Sequence, residues 1–285
     1  MSSKIKNIRT IEKKDQSKVV ELVFQLNNQN TFYSGYCPKQ KSSIEKEVTD
    51  SIENQTAFIY EDKDIFGVMM FFITPLDAID VSGPYVVNAN LQAGQALIKA
   101  LKMSYPRKKI NFFFSSKSTY YQSLMDHFNI NLKDHEYILK LYPENFTPTD
   151  KDIEVRKANI EDQNEIIRIH ESLFSDTYIS NDMLLSSDRF NNIHVLINQG
   201  HIAGFSLIQP YDTHAYIELF CIRKEDQGKK LSKPFLSKLI KNQFKDDASY
   251  CMLVVDKINE LASRLYFNLG FEIDEENLSY VDANK

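Results

Sequence analysis

The chain has 285 residues, 42% of them hydrophobic and 26% charged, with a net charge of −5. That balance is room for two ordinary globular domains and excludes a disordered or collagen-like chain. No apolar run approaches the roughly 18 residues of a membrane span, and Met1-Ser2-Ser3-Lys4 begins no secretory apolar stretch, so a cytoplasmic protein without a membrane partner is expected.

In chain order, Ile8-Arg9-Thr10 and Asp15-Gln16 precede a helical pattern, an apolar run surrounds Ile65-Phe66-Gly67, and Ile110 to Phe114 is followed by Ser118 to Ile130. Pro143, Thr147, Pro148 and Thr149 then interrupt all periodicity. Beyond them the pattern returns: Val155-Arg156-Lys157 and Asp162-Gln163 repeat the opening at an offset of 147 (155 minus 8), Ile202-Ala203-Gly204 echoes residues 65–67, and Cys251 to Val255 with Asn259 to Phe271 echoes residues 110–130. The expectation is two copies of one α/β fold, residues 1–142 and 152–285 joined by a linker at 143–151, each a twisted mixed sheet flanked by helices on both faces. In the second copy, strands are predicted near 153–157, 193–198, 201–209, 213–222, 249–255, 271–274 and 278–281, and helices near 160–174, 180–187, 231–243 and 258–268.

Chemistry concentrates in the second copy. His214 to Ile222 is β-branched and aromatic and reads as a strand, whereas Leu231, Phe235, Leu236, Leu239 and Ile240 recur at helical spacing. Between them lies Gln227-Gly228-Lys229-Lys230-Leu231-Ser232, with Ser232 as the predicted N-cap. A turn entering a helix N-terminus aims backbone N–H groups and the positive end of the helix dipole at one place, and Lys229 and Lys230 add full charges: an anion site. Residues 1–150 carry 18 basic against 17 acidic side chains and residues 151–285 carry 16 against 22, yet Arg223 to Lys241 holds seven basic and two acidic ones. A local basic patch in an acidic half suits a small polyphosphate, while a nucleic acid needs a broad positive face; no nucleic-acid partner is expected. Cys37, Cys221 and Cys251 have no metal-ligand spacing, so buried reduced thiols and no metal are expected.

Tyr250 to Val255 reads as a buried strand, followed by a helix whose stripe is Leu261, Leu265 and Leu269 and whose end is marked by Gly270. Asn259, Ala262, Leu265, Tyr266, Gly270 and Phe271 match a signature of the GNAT acetyltransferase superfamily, and Gln227 to Ser232 aligns with its pyrophosphate loop, with Lys230 and Ser232 where the family has small residues. The chain thus resembles a tandem pair of GNAT-like acyl-CoA N-acyltransferase domains. The resemblance implies acetyl-CoA as cofactor, its phosphates on Gln227, Gly228, Lys229, Lys230, Leu231 and Ser232, its arm along Phe220, Cys221 and Ile222 and beside Asn259, Tyr266 as general acid and Glu218 as general base. Strict alternation puts Tyr216, Glu218, Phe220 and Ile222 on one face unless a bulge re-aims the strand.

The first copy lacks these features. Val87 to Leu97 is 10 steps where Ile222 to Leu236 is 14, and Ser118, Met125 and Asn129 stand in place of Asn259, Tyr266 and Gly270. The expected function is acetyl transfer to an amine of a small molecule or an exposed protein or peptide amine, through the second copy. Two alternatives stay open: a non-catalytic acyl-CoA-binding or protein-interaction module, and an aminoacyl transferase using charged tRNA. A homodimer through an exposed strand edge also stays open.

Overall fold

Each half of the chain begins with the same electrostatic clamp. In strand β1 (Ile8–Thr10) the Arg9 guanidinium grips Asp15 through two bonds of 2.6 and 2.8 Å, and in β7 (Glu154–Lys157) Arg156 grips Asp162 at 2.6 and 2.9 Å. The same carboxylates accept the backbone N–H of Glu12 and Asn159, at 2.9 and 2.7 Å, so each clamp also starts the helix that follows. This is the physical content of the offset of 147. The computed structural model describes residues 5–283 except 30, 36, 64, 75–76, 150, 175–178 and 212. Met1–Lys4 and Asp150 of the expected linker lie outside the described residues.

The chain divides into two units. Unit 1 comprises residues 1–136 and 276–285, and unit 2 comprises 137–275. In unit 1 the sheet order is β1, β2 (Ala57–Asp62), β3 (Ile65–Ile73), β4 (Ile79–Val86), β5 (Ile110–Ser115) and residues 277–282. All neighbours are antiparallel except β4 and β5. Side-chain alternation along β3 sends Val68 and Met70 against α1 (Gln16–Asn27) and α2 (Lys41–Glu53), and Met69 and Phe71 toward α3 (Leu91–Ser104) and α4 (Thr119–Phe128).

Unit 2 orders β7, β8 (Ile193–Asn198), β9 (His201–Pro210), β10 (His214–Ile222) and β11 (Tyr250–Asp256), with residues 137–141 of β6 (Asn131–Leu141) beside β11. Helix α5 (Gln163–Leu173) and the short α6 (Asn181–Leu184) cover one face, α8 (Ser232–Lys245) and α9 (Glu260–Phe267) the other. Phe235, Leu236, Leu239 and Ile240 of α8 are all fully buried, an anchorage worth at most about 1.5–3 kcal/mol per side chain.

Three expectations about the course of elements and the bounds of the units differ from the structure. Residues 271–274 and 278–281 belong to one strand, β12 (Glu272–Asp282), because Asn277 already pairs with Ser115 and continues the ladder. Its residues 277–282 lie in unit 1, so the units are bounded differently from 1–142 and 152–285: Leu278 and Tyr280 pair with Phe114 and Phe112 of β5. The helix predicted at 180–187 is two, α6 and α7 (Ser187–Phe190), broken where Ser186 takes the extended φ −60°, ψ 146°.

Candidate functional site

Strands β10 and β11 start out as parallel neighbours and then separate. Their pairing runs only from His214 opposite Tyr250 to Tyr216 opposite Met252, although β10 continues to Ile222 and β11 to Asp256. Past that point β10 keeps its pairing with β9, and a bulge between Ile217 and Leu219 inserts Glu218 as the extra residue. The bulge reverses the alternation. Ala215 and Ile217 pack on the α8 side, but so do Phe220 and Ile222, while Leu219 and Cys221 join the α5 side. The single face predicted for Tyr216, Glu218, Phe220 and Ile222 is therefore corrected: Phe220 packs on Phe235 of α8 at 5.4 Å between ring centroids.

Glu218 turns the other way. Its side chain is 5% exposed, accepts a hydrogen bond from Gln209 Nε2 at 3.3 Å and stands 3.6 Å from the Arg189 guanidinium of α7. The Arg189 Nε is buried and has no partner among the described residues. Tyr211, across from this carboxylate, has its hydroxyl pushed up by burial and by the Glu218 charge. Arg189 escaped the sequence reading because nothing in its local pattern marks it; its role comes from facing a strand far away in the chain.

The loop ahead of α8 is held from beneath by a second unforeseen residue. Asp226 ends a 3-10 turn (Lys224–Asp226) with its side chain fully buried, and it accepts from Lys229 Nζ at 2.9 Å, Asn198 Nδ2 at 3.2 Å and Arg223 Nε at 3.2 Å, with His201 Nε2 at 2.8 Å. Burial opposes ionisation there, but the hydrogen bonds from Lys229, His201 and Asn198 outweigh it and hold the carboxyl well below its ordinary range. Lys229, expected to add a free charge to an anion site, thus spends part of that charge on Asp226. Gln227 donates its side-chain amide to the Ile222 carbonyl at 3.1 Å, closing the loop onto the end of β10.

Beyond Gln227 the backbone turns through two left-handed residues, Gly228 at φ +78° and Lys230 at φ +56°. Glycine adopts that region freely and lysine only at a cost. The expected cap is also corrected: Leu231 occupies the N-cap position with no side-chain acceptor, and Ser232 is the first residue of α8. As a result the backbone N–H groups of Gly228, Lys229, Lys230, Leu231, Ser232 and Lys233 find no protein acceptor among the described residues. Unused donors at the positive end of a 14-residue helix are groups that could hold an anion.

Asn259 caps α9, its Oδ1 accepting from the Ala262 N–H at 3.2 Å, and remains exposed beside the diverging end of β11. One helical face further on, Tyr266 is 8% exposed and meets Phe271 edge-on; burial pushes its hydroxyl up to about 12, so it stays protonated at neutral pH. Cys221 and Cys251 are likewise pushed up to about 12 by burial, which leaves them as thiols without nucleophilic character. Gly270 has φ +99°, and a Cβ there would collide with the Asn145 carbonyl.

Unit 1 handles the corresponding helix entry differently. Asn90 caps α3 by accepting from the Ala93 N–H at 2.9 Å, no lysine sits in the turn, and Gly94 is buried where a Cβ would meet Tyr120 and Leu124. Gly94 therefore serves helix packing. Ser118 caps α4 as Asn259 caps α9, but Met125 is fully buried and carries no proton to donate.

No family model matches the sequence, and no curated protein matches it. Solved structures do. A GCN5-related N-acetyltransferase from Sphaerobacter thermophilus is similar at TM-score 0.69 and 13% identity, over 96% of this chain and 94% of its own. An acetyltransferase of the GNAT family from Colwellia psychrerythraea gives 0.60 and 12%, over 96% and 98%. A tandem GNAT protein from the clavulanic acid biosynthesis pathway gives 0.63 and 9%, over 96% and 97%. The fold is the tandem GNAT fold, in two α/β copies.

Proposed function

We propose that unit 2 is an acetyl-CoA-dependent N-acetyltransferase acting on an amine of a small molecule or exposed peptide. The observation that carries this reading is the run of unused N–H donors from Gly228 to Lys233, facing a helix N-terminus next to two strands that part after three residue pairs. Six donors without a protein acceptor, at a helix entry with Lys230 among them, suit a diphosphate, and the unpaired edges of β10 and β11 beyond Tyr216 and Met252 suit an extended amide-bearing arm, as an added strand would be held. Bound there, acetyl-CoA supplies an acetyl thioester.

The chain's own residues do the rest. Phe220, Cys221 and Ile222 offer their backbone to the arm, and Asn259 offers its exposed amide. Glu218, held by Gln209 and Arg189, is the base in this reading, accepting a proton from the incoming ammonium directly or through water. Tyr266, protonated up to about pH 12, returns a proton to the departing sulfur. Titration calorimetry with acetyl-CoA and an acetylation assay over an amine panel test this: Tyr266→Phe keeps cofactor affinity within about threefold and loses on the order of 10²-fold in kcat. An absence of binding to both proteins sinks the enzyme reading.

One feature favours the non-catalytic reading. Lys230 holds a left-handed conformation with a full side chain where close phosphate approach prefers none, and Lys229 is drawn to Asp226. Retained acetyl-CoA affinity without turnover of any amine, in wild type and Tyr266→Phe alike, selects that alternative.

A further inference from the structure

The buried Asp226 carboxylate beneath the Gly228–Lys233 loop ties down one of the loop's own cations. Lys229 Nζ lies 2.9 Å from Asp226 Oδ1, yet the lysine side chain is still 48% exposed, so an anion arriving at the loop competes for it. The other donors to Asp226 are held elsewhere. Arg223 precedes the loop at the end of β10, and its guanidinium stands 3.2 Å from Asp226, 3.2 Å from Glu225 and 3.5 Å from Glu165 of α5. Asn198, from the end of β8, is a neutral donor.

Charge around Asp226 balances only while Lys229 stays. Among the described residues three carboxylates, Asp226, Glu225 and Glu165, face three cations, Arg223, Lys229 and Arg168, the last 2.5 Å from Glu165. Lys224 of the same turn is exposed and pairs with no acid among them. Once Lys229 turns away, a fully buried carboxylate keeps one cation, which it shares with two other acids, and a buried charge left short of partners is costly. One neighbour can supply the missing charge. His201, at the start of β9, sets Nε2 2.8 Å from Asp226 Oδ2. An ionised carboxylate only accepts, so Nε2 carries the hydrogen of the neutral ring and a further proton enters at Nδ1. Nδ1 has no protein partner among the described residues, and the side chain is 33% exposed, so water reaches it.

Resting on the reading of the loop as the acetyl-CoA diphosphate site, we propose that His201 is a positioning residue acting through Asp226: as the diphosphate arrives, Lys229 leaves Asp226 for it and His201 takes a proton from water at Nδ1 in its stead. The loop thus binds its anion together with a proton. The bound state favours the charged ring more than the free state does. The added affinity is therefore fully present below a histidine's ordinary value of about 6.5 and is lost as pH rises through the higher value of the bound state.

Calorimetry of acetyl-CoA binding to the full chain at pH 7.5, in HEPES and in Tris, reads the protons exchanged. His201→Gln keeps a donor for Asp226 but takes no charge, so the difference between the two proteins cancels protons that belong to the ligand. Wild type is expected to take up at least about 0.3 proton more than the variant, and its affinity relative to the variant's to fall about threefold or more from pH 6 to pH 8.5. Lys229→Met gives an arm without ligand. With the cation absent from the start, the His201 ring, assigned by its loss in His201→Gln and followed by proton NMR, should titrate at least about 0.5 pH unit higher than in wild type. Equal proton uptake by wild type and His201→Gln, or an unmoved His201 titration in Lys229→Met, overturns the proposal and leaves the acetyl-CoA site standing. Absence of acetyl-CoA binding to wild type overturns that site and the proposal with it.

Discussion

Replacing Asp226 by Asn removes one charge from under the loop and changes almost nothing in shape. The carboxylate is fully buried and receives charged donors from Lys229 at 2.9 Å and Arg223 at 3.2 Å, besides Asn198 and His201. A hydrogen bond to a charged group is worth about 1.5–3 kcal/mol. Two are lost, but Arg223 and Lys229 are 28% and 48% exposed and recover part of that by hydration, so the net cost is about 2 kcal/mol. Urea unfolding reads the difference at pH 7. The carboxyl is depressed in the folded state, so its contribution is fully present above the unfolded value near 3.9 and fades as pH falls below it; the gap between wild type and Asp226→Asn therefore narrows from pH 5 toward pH 2. Under the proposed function the loop that hangs on this residue holds acetyl-CoA, and its affinity is expected to fall as well. A loss under about 0.5 kcal/mol, or one that does not change between pH 5 and pH 2, refutes the reasoning.

Other substitutions probe separate links. Lys230→Val puts a β-branched side chain at φ +56° and should cost about 1–2 kcal/mol in the same assay, whereas Lys230→Gly should be neutral or stabilising. Gly270→Ala faces both φ +99° and the Asn145 carbonyl, and should lose more than about 2 kcal/mol, measured as a drop in Tm. Asp162→Asn opens the clamp on Arg156; since Asp162 is depressed chiefly by that guanidinium, the variant's deficit should be full at neutral pH and shrink as pH falls through the acid range, seen in acid titration followed by circular dichroism.

Much of this was legible along the chain because local chemistry imposed it. Gly270 marks a helix end in sequence, and the structure gives it a left-handed backbone pressed by a neighbour. The Arg9/Asp15 and Arg156/Asp162 spacings announced a repeat, since a bidentate clamp and the start of a helix both need that separation. The Gly228–Lys230 turn was legible as a helix entry, but its cap was misplaced by one residue, since Ser232 resembles a cap whether or not it acts as one. What stayed hidden depends on distant partners. Asp226 looked like one acid among basic residues until His201 and Asn198 of another hairpin closed over it. The bulge at Glu218 cannot be read from a uniformly β-favouring run, and it decides which way Phe220 faces. Nor can contiguous sequence reveal that the partner of β5 is the last strand of the chain.

Amide hydrogen exchange with and without acetyl-CoA addresses the diphosphate grip itself. Slowed exchange confined to residues 228–233 and the free part of β10, with the α3 entry of unit 1 unchanged, is the predicted pattern. Protection at residues 87–93 instead, or none anywhere at saturating ligand, contradicts it.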